Sequence, residues 1–328
     1  MLLAGDIGGT KTTLAIIAHD AGIRHPLAQA TFASQAYASL TQLAGEFLRQ
    51  TGYRVDSACF GVAGPVVAGR ASVTNLPWEV EAAELSRSLG IATVHLINDL
   101  QAIATAIPHL EAKDIHTLNP GHPVEQAAIA VIAPGTGLGE GFLTWDATRG
   151  RYQAQPSEGG HASFAPSNAL EDGLLHFLRE RYGHVSYERV CSGIGMRNIY
   201  QYLKASGHAE EPPWLAERLA CAEDPNPVIV EAALDTTQPC PLCVLTVDTF
   251  VSILGNEAGN LALKVLATGG VYLAGGIPPR ILPALEKGFL KAFRHKGRFA
   301  ELLSRVPVHV IINPKVALLG AACYGLGL

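Results

Sequence analysis

Two segments far apart in the chain share one pattern: an apolar run, a glycine-rich turn, and a second apolar run. The first is LLAGDIGGTKTTLAII, where Gly5, Asp6, Gly8, Gly9, Thr10 and Lys11 separate the apolar stretches. The second is IAVIAPGTGLGEGFLTW, with Gly135, Thr136, Gly137, Gly139 and Gly141. Each reads as strand, turn, strand, because TTLAII and GFLTW are rich in β-formers. A turn without Cβ atoms brings backbone N–H groups close to an anion, and successive N–H groups form a concave phosphate site. One such turn is equally well an ordinary β-hairpin. Two in one chain point to a duplicated fold that holds phosphates between its halves. Asp6 adds to this, since a carboxylate in a phosphate turn makes sense when a divalent cation lies between it and the phosphates.

The rival phosphate motifs do not match. A Walker A loop has Gly directly before its Lys-Ser/Thr pair, whereas Thr10 precedes Lys11-Thr12. A dinucleotide fingerprint would put its third Gly at Glu140 or Phe142, and a helix rather than a strand after it. The 328 residues suggest two domains, and 48% hydrophobic with 16% charged residues supports a large core. A net charge of −5 excludes a charge-driven nucleic-acid binder. No basic, apolar leader and no long apolar run stand out, so we expect a cytoplasmic protein without a membrane partner. Cys59, Cys191, Cys221, Cys240, Cys243 and Cys323 read as reduced thiols. Cys240 and Cys243 have the spacing of a zinc half-site, but only Cys221 and His208 lie near them in sequence, and no zinc is expected.

Apolar runs at 2–5, 12–18 and 23–31 read as a meander with a turn at Asp20-Ala21-Gly22. Helices are expected over 37–49, 82–89, after Asp99, over 169–182, near 197–204, over 247–266, 279–293 and 316–324. Strands are expected at 58–63, 93–97, 271–274 and 308–312, and residues 210–243 yield no assignment. The strand–turn–helix VYLAGGIPPRIL parallels VHLINDLQAIA, so both halves read as mixed α/β units of one topology.

Three places carry candidate chemistry. Asn98-Asp99 sits where a strand gives way to a helix, and ligands of open α/β sheets gather at the carboxyl ends of strands. Asp99 is either a helix N-cap or a carboxylate that orients a hydroxyl and takes its proton during phosphoryl transfer. In Ser157-Glu158-Gly159-Gly160-His161, Glu158 and His161 are placed to grip adjacent hydroxyls of one small ligand. Glu188, in VSYERVCSG, is by itself equally a surface charge.

The order GDIGGTK, IND, APGTGLG, EGGH, ERVCSG and YLAGGIPPR resembles the bacterial glucokinase family, nearly end to end. The resemblance implies the duplicated ribonuclease-H-like topology of the actin and hexokinase superfamily, with two mixed-sheet α/β domains around a central cleft. These would be residues 1–108 with 314–328, and 109–313. It implies phosphorylation of D-glucose at the 6-hydroxyl by ATP with Mg²⁺. Sugar contacts would come from Asn98, Asp99, Glu158, His161 and Glu188, with Asp99 as base. Nucleotide contacts would come from Gly8, Gly9, Thr10, Lys11, Gly135, Thr136, Gly137, Gly275 and Gly276. Asp6 would face Mg²⁺ through water, and a homodimer is usual. The neighbouring repressor and kinase group shares the D-x-G-G-T-K turn, and Lys11 leans toward it. That group carries cysteines just after its E-x-G-H motif, whereas ASFAPSNAL follows His161 here. A kinase of another hexose or amino sugar, or a non-catalytic sugar sensor, is the alternative.

Overall fold

The computed structural model describes residues 1–19 and 22–328, so Asp20 and Ala21 of the expected turn lie outside the described residues. The chain divides into two compact units. The first comprises Met1–Glu111, Asp146–Pro156 and Asn313–Leu328; the second comprises Ala112–Trp145 and Ser157–Ile312.

The first unit opens with strands β1 (Leu2–Ile7), β2 (Lys11–Ile17) and β3 (Ala28–Ala33), then helix α1 (Leu40–Thr51) and strand β4 (Ser57–Val62). Short strands β5 (Val66–Val67), β6 (Arg70–Ser72) and β7 (Glu79–Glu81) form a separate small sheet, followed by α2 (Ala82–Leu89), β8 (Thr93–Asn98) and α3 (Asp99–Ala106). The main sheet has the order β3-β2-β1-β4-β8. Its β1–β2 and β2–β3 pairs are antiparallel, and β1–β4 and β4–β8 are parallel. Strand alternation sends Leu3, Ile7, Leu14, Ile16 and Phe60 to a core with Leu43 and Phe47 of α1. It sends Leu2, Ala4, Ile17 and Cys59 to the opposite face.

The second unit contains β9 (Ile115–Asn119), β10 (Ile129–Pro134), β11 (Leu138–Asp146) and the end of β12 (Arg151–Ser157). Helices α4 (Ala169–Tyr182), α5 (Gly193–Ala205), α6 (Pro213–Cys221), α7 (Pro225–Leu234) and α8 (Pro241–Val265) follow. Strand β13 (Gly270–Leu273), helices α9 (Leu282–Phe293) and α10 (Ala300–Arg305), and β14 (Val308–Ile311) complete it. The last helix, α11 (Val316–Leu326), belongs to the first unit. The second sheet runs β12-β11-β10-β13-β14-β9. Its β10–β11 pair is antiparallel, and β10–β13 and β13–β14 are parallel. The first five positions repeat the order of the first sheet, as expected from the two similar hairpins. The fold is mixed α/β with an internal duplication.

Several local expectations need correction. The strand expected over 23–31 is β3 at Ala28–Ala33, because Pro26 has no N–H to give a ladder. The unassigned stretch 210–243 holds α6, α7 and the first turn of α8, each opened by a proline in its first turn. Proline is tolerated there because the first N–H groups of a helix have no intrahelical partner. The small sheet and β9 were not expected; their strands are too short, or too polar, to show periodicity. By length and composition α8 could cross a bilayer, yet 78% of its apolar window is buried inside the protein, where it forms the spine of the second unit's core.

Helix α11 crosses α3 at very close range, with Leu318, Ala321 and Ala322 packed against Ala102. A Cβ on Gly320 would lie 1.7 Å from the Ala102 carbonyl oxygen. Replacing Gly by Ala within a helix gains about 1 kcal/mol of intrinsic propensity. A clash with backbone outweighs that gain, since overpacking costs roughly 1–3 kcal/mol or more. Gly320→Ala should therefore lower the Tm by several degrees, read by calorimetry; an unchanged or higher Tm would contradict the close crossing.

Candidate active site

In the first unit, Asp6 lies near the end of β1 on the face toward Ala102 of α3, because Leu2 and Ala4 share that face. In register with it, Gly61 on β4 has no side chain, and a Cβ there would meet Ala102 at 3.1 Å. Asp99 opens α3 at the carboxyl end of β8. Both carboxylates are half-buried. Burial, and then the charge of Asp99, push Asp6 up to about 6. Burial likewise raises Asp99, against hydrogen bonds that lower it, the first from the Leu100 N–H. Ionising Asp6 costs about 3 kcal/mol more here than in water. A cation would offset that cost.

The helix cap is Asn98, not Asp99. Its Oδ1 accepts from the Leu100 N–H at 2.9 Å, and its Nδ2 donates to the Gly64 carbonyl at 2.9 Å. Asp99 Oδ1 shares the Leu100 N–H at 2.8 Å. Asp99 therefore occupies the first helical position, where its carboxylate also meets the Asn98 side chain and its own N–H. The Asn98 side chain also hydrogen-bonds the Asp99 carboxylate, which lowers the Asp99 pKa against the effect of burial.

The first glycine-rich turn is braced from below. Gly8 N–H donates to the Lys11 carbonyl at 3.0 Å, and the buried Ser34 hydroxyl donates to the Gly8 carbonyl at 2.7 Å. A Cβ on Gly9 would lie 2.6 Å from the Thr74 carbonyl oxygen, so this glycine is required by packing. Thr10 and Lys11 are exposed at the tip. Ser34 was missed in the sequence, because a lone serine after a strand carries no periodic or spacing signal.

In the second unit, the turn after β10 gathers three elements. The Gly193 N–H at the start of α5 donates to the Gly135 carbonyl at 2.8 Å. Gly275 takes φ +82°, and a Cβ there would meet the Pro134 carbonyl oxygen at 2.4 Å. Gly135 and Gly276 have nothing within 4 Å of a would-be Cβ, so their faces are open to a ligand. Gly137 differs: Glu188 Oε2 lies 2.5 Å from its would-be Cβ and accepts the Leu138 N–H at 3.1 Å. Thr136 is exposed at the tip. The N-terminus of α5, capped by Ser192, offers partial positive charge beside this turn. The sequence reading quoted Ser192-Gly193 within ERVCSG but gave it no role.

Glu158 and His161 stand at either end of one short turn, His161 Nε2 lying 3.9 Å from Glu158 Oε2. Their side chains are 85% and 62% exposed, so both are free to meet a ligand. This turn and the one carrying Glu188 pack together, the Tyr187 N–H donating to the Ala162 carbonyl at 3.0 Å. The structure thus brings Glu188 to the Gly135–Gly137 turn, and Glu158 with His161 to a neighbouring turn of the same unit. Two surface hollows of about 430 and 560 Å³, beside Trp214 and His122, share no residue with this set.

No group of three or more His, Cys, Asp or Glu able to hold a metal exists among the described residues. Magnesium needs no such cage, since it is held through one or two carboxylates, waters and substrate phosphates. Asp6, charged only at a cost and close to Asp99, fits that manner of binding.

The model of the glucokinase family matches residues 3–327. The glucokinase of Nostoc punctiforme is 41% identical over an alignment that covers 98% of each chain. That of Yersinia pestis (strain Pestoides F) is 36% identical, over 98% of this chain and 95% of its own. Among solved structures, the crystal structure of a glucokinase from an Antarctic psychrotroph is 32% identical, with a TM-score of 0.84 over 100% of this chain and 99% of the other. The order of motifs, the duplicated sheets and this full-length likeness agree, and the chain belongs to the glucokinase family.

Proposed function

We propose that the chain transfers the γ-phosphoryl group of ATP to the 6-hydroxyl of D-glucose, with Asp99 as general base. The bond between phosphorus and the sugar oxygen forms as the bond from the γ-phosphorus to the bridging oxygen breaks. The hydroxyl proton passes to Asp99 and ADP leaves. The observation that carries this reading is a half-buried carboxylate at the carboxyl end of β8, raised by burial above the usual aspartate value, the direction that strengthens a base.

In this reading Asn98, Glu158, His161 and Glu188 bind sugar hydroxyls. Gly8, Gly9, Thr10 and Lys11, with Gly135, Thr136, Gly137, Gly275 and Gly276, receive the nucleotide. The open faces of Gly135 and Gly276 and the nearby start of α5 support the last assignment. Mg²⁺, when bound with ATP, would neutralise phosphate charge, and Asp6 would hold it through water. The reading also includes domains at 1–108 with 314–328 and at 109–313, a cytoplasmic setting and a homodimer. Sedimentation at micromolar concentration should give about twice the 34.6 kDa of one chain, and a mass of one chain would rule the dimer out.

Turnover of Asp99→Asn should fall about 10²–10⁴-fold with glucose binding kept, because asparagine holds the hydroxyl but takes no proton. A coupled assay with Mg-ATP and a panel of hexoses reads both the base and the sugar. More than about a tenth of wild-type kcat in the variant would remove Asp99 from the base role.

Glu158 is exposed and carries no packing, so Glu158→Ala should leave the Tm unchanged and raise the glucose KM steeply, by ~10-fold or more. Gly137→Ala should raise the KM of both substrates, since a methyl group on this nucleotide turn also displaces the Glu188 carboxylate. Equal effects of Glu158→Ala on the KM values of glucose and ATP would argue against its sugar assignment.

A further inference from the structure

Beneath the turn that carries Glu158 and His161 lies a costly group that the reaction does not use. Glu140 sits on β11 opposite Ile132, and alternation turns it inward with Leu138. It is 1% exposed, and its Oε1 has no hydrogen-bond partner among the described residues. Its other oxygen rests on the backbone of Gly159: a Cβ there would lie 2.2 Å from Oε2. Next to it, a Cβ on Gly160 would lie 2.1 Å from the Leu138 carbonyl oxygen. The turn is thus seated directly on the first residues of β11, and the space of a missing side chain is filled by the Glu140 carboxyl.

The charged surroundings offer Glu140 no partner of its own. From α8 it faces Glu257 and Lys264, which pair with each other at 3.3 Å. Ahead of α5 the Cys191 thiol is close, itself raised by burial and by both glutamates. Lys296, beyond α9, is engaged by Asn256 and Asn260 of α8. On the turn itself are Glu158 and His161. Burial, then the charge of Glu257, push Glu140 up to about 7, with Lys264 opposing. A buried carboxyl with one oxygen unpartnered destabilises a fold, and an apolar side chain of similar size would avoid the cost.

We propose that Glu140 is a positioning residue for sugar binding: its buried side chain, seated on Gly159, fixes the turn that aims Glu158 and His161 at the acceptor. This rests on the reading of Glu158 and His161 as sugar ligands. Glu140 is neutral below about pH 7 and charged above it, the raised value placing the change there. The charge is repelled by Glu257, so the turn loosens as pH rises.

The test uses the full chain, with Glu140→Gln and Glu140→Ala. Glu140→Ala should raise the glucose KM about tenfold while leaving the ATP KM within about twofold, because it removes the seat without touching the nucleotide residues. Glu140→Gln keeps the shape of the neutral acid. It should match the wild type near pH 6 and lack the rise in glucose KM that the wild type shows between pH 6 and 8. Other titrating groups contribute equally to both proteins. Hydrogen–deuterium exchange of the peptide 157–163 should speed up in Glu140→Ala, and in the wild type above pH 7 after correction for intrinsic exchange. That readout needs no glucose turnover, so an inactive wild type with faster exchange in the variant would fault the sugar reading and not the positioning role. Unchanged exchange in Glu140→Ala, or a pH slope in Glu140→Gln equal to that of the wild type, would overturn the proposal. Should Glu140→Ala fail to fold, the pH comparison with Glu140→Gln decides alone.

Discussion

The second unit's candidate site depends on contacts around the first residues of β11, where side chains or backbone stand in the space that three glycines leave empty. The Glu188 carboxylate fills the gap at Gly137 and takes the Leu138 N–H. The Glu140 carboxyl fills the gap at Gly159, and the Leu138 carbonyl fills that at Gly160. The start of β11 is held by its ladder to β10, where Leu138 pairs with Pro134. Three chain segments distant in sequence are thereby tied to one rigid reference. Glycine serves two purposes in this region. At Gly137, Gly159 and Gly160 it admits a polar group of the protein, and at Gly135 and Gly276 it leaves backbone open for something else.

The first unit meets a different constraint. Asp6 sits near the end of the buried strand β1 and Asp99 at the start of α3, and both are half-buried. Asp6 pays for this by desolvation and by the charge of Asp99. The cost fits a place where a cation or a proton is to be accepted. A carboxylate in free contact with water would be a weaker base and a weaker ligand. At the β8–α3 corner Asn98 caps the helix, and Asp99 at the first helical position shares the same Leu100 N–H.

The duplication explains why the two halves share a strand order but not a site. Each repeats a hairpin followed by two parallel strands, so each presents a turn at the corresponding corner. What surrounds the turn differs. In the first unit Ser34 and the Thr74 carbonyl brace it. In the second, α5, Glu188 and the Gly275 turn do so. The carboxyl of Glu140 has no counterpart in the first hairpin, where the third pair from the turn places the buried Leu14 at that position.

Both hairpins, the acidic residue after β8, the Gly275-Gly276 turn and most helices were legible in the sequence, because glycine spacing and apolar periodicity are local signals. Family membership was legible too, since motif order survives in a linear string. Three things were not. The stretch 210–243 with the prolines that open α6, α7 and α8 gave no assignment, because position within the first turn decides a proline's effect. The cap at Asn98 could not be told from one at Asp99, because adjacent residues compete for one N–H and only geometry assigns it. Above all, nothing local separates a glycine that faces open space from one that faces a buried carboxylate. That distinction, and with it the place of Glu140 under Gly159, is made by atoms brought from elsewhere in the chain, so only the tertiary structure decided it.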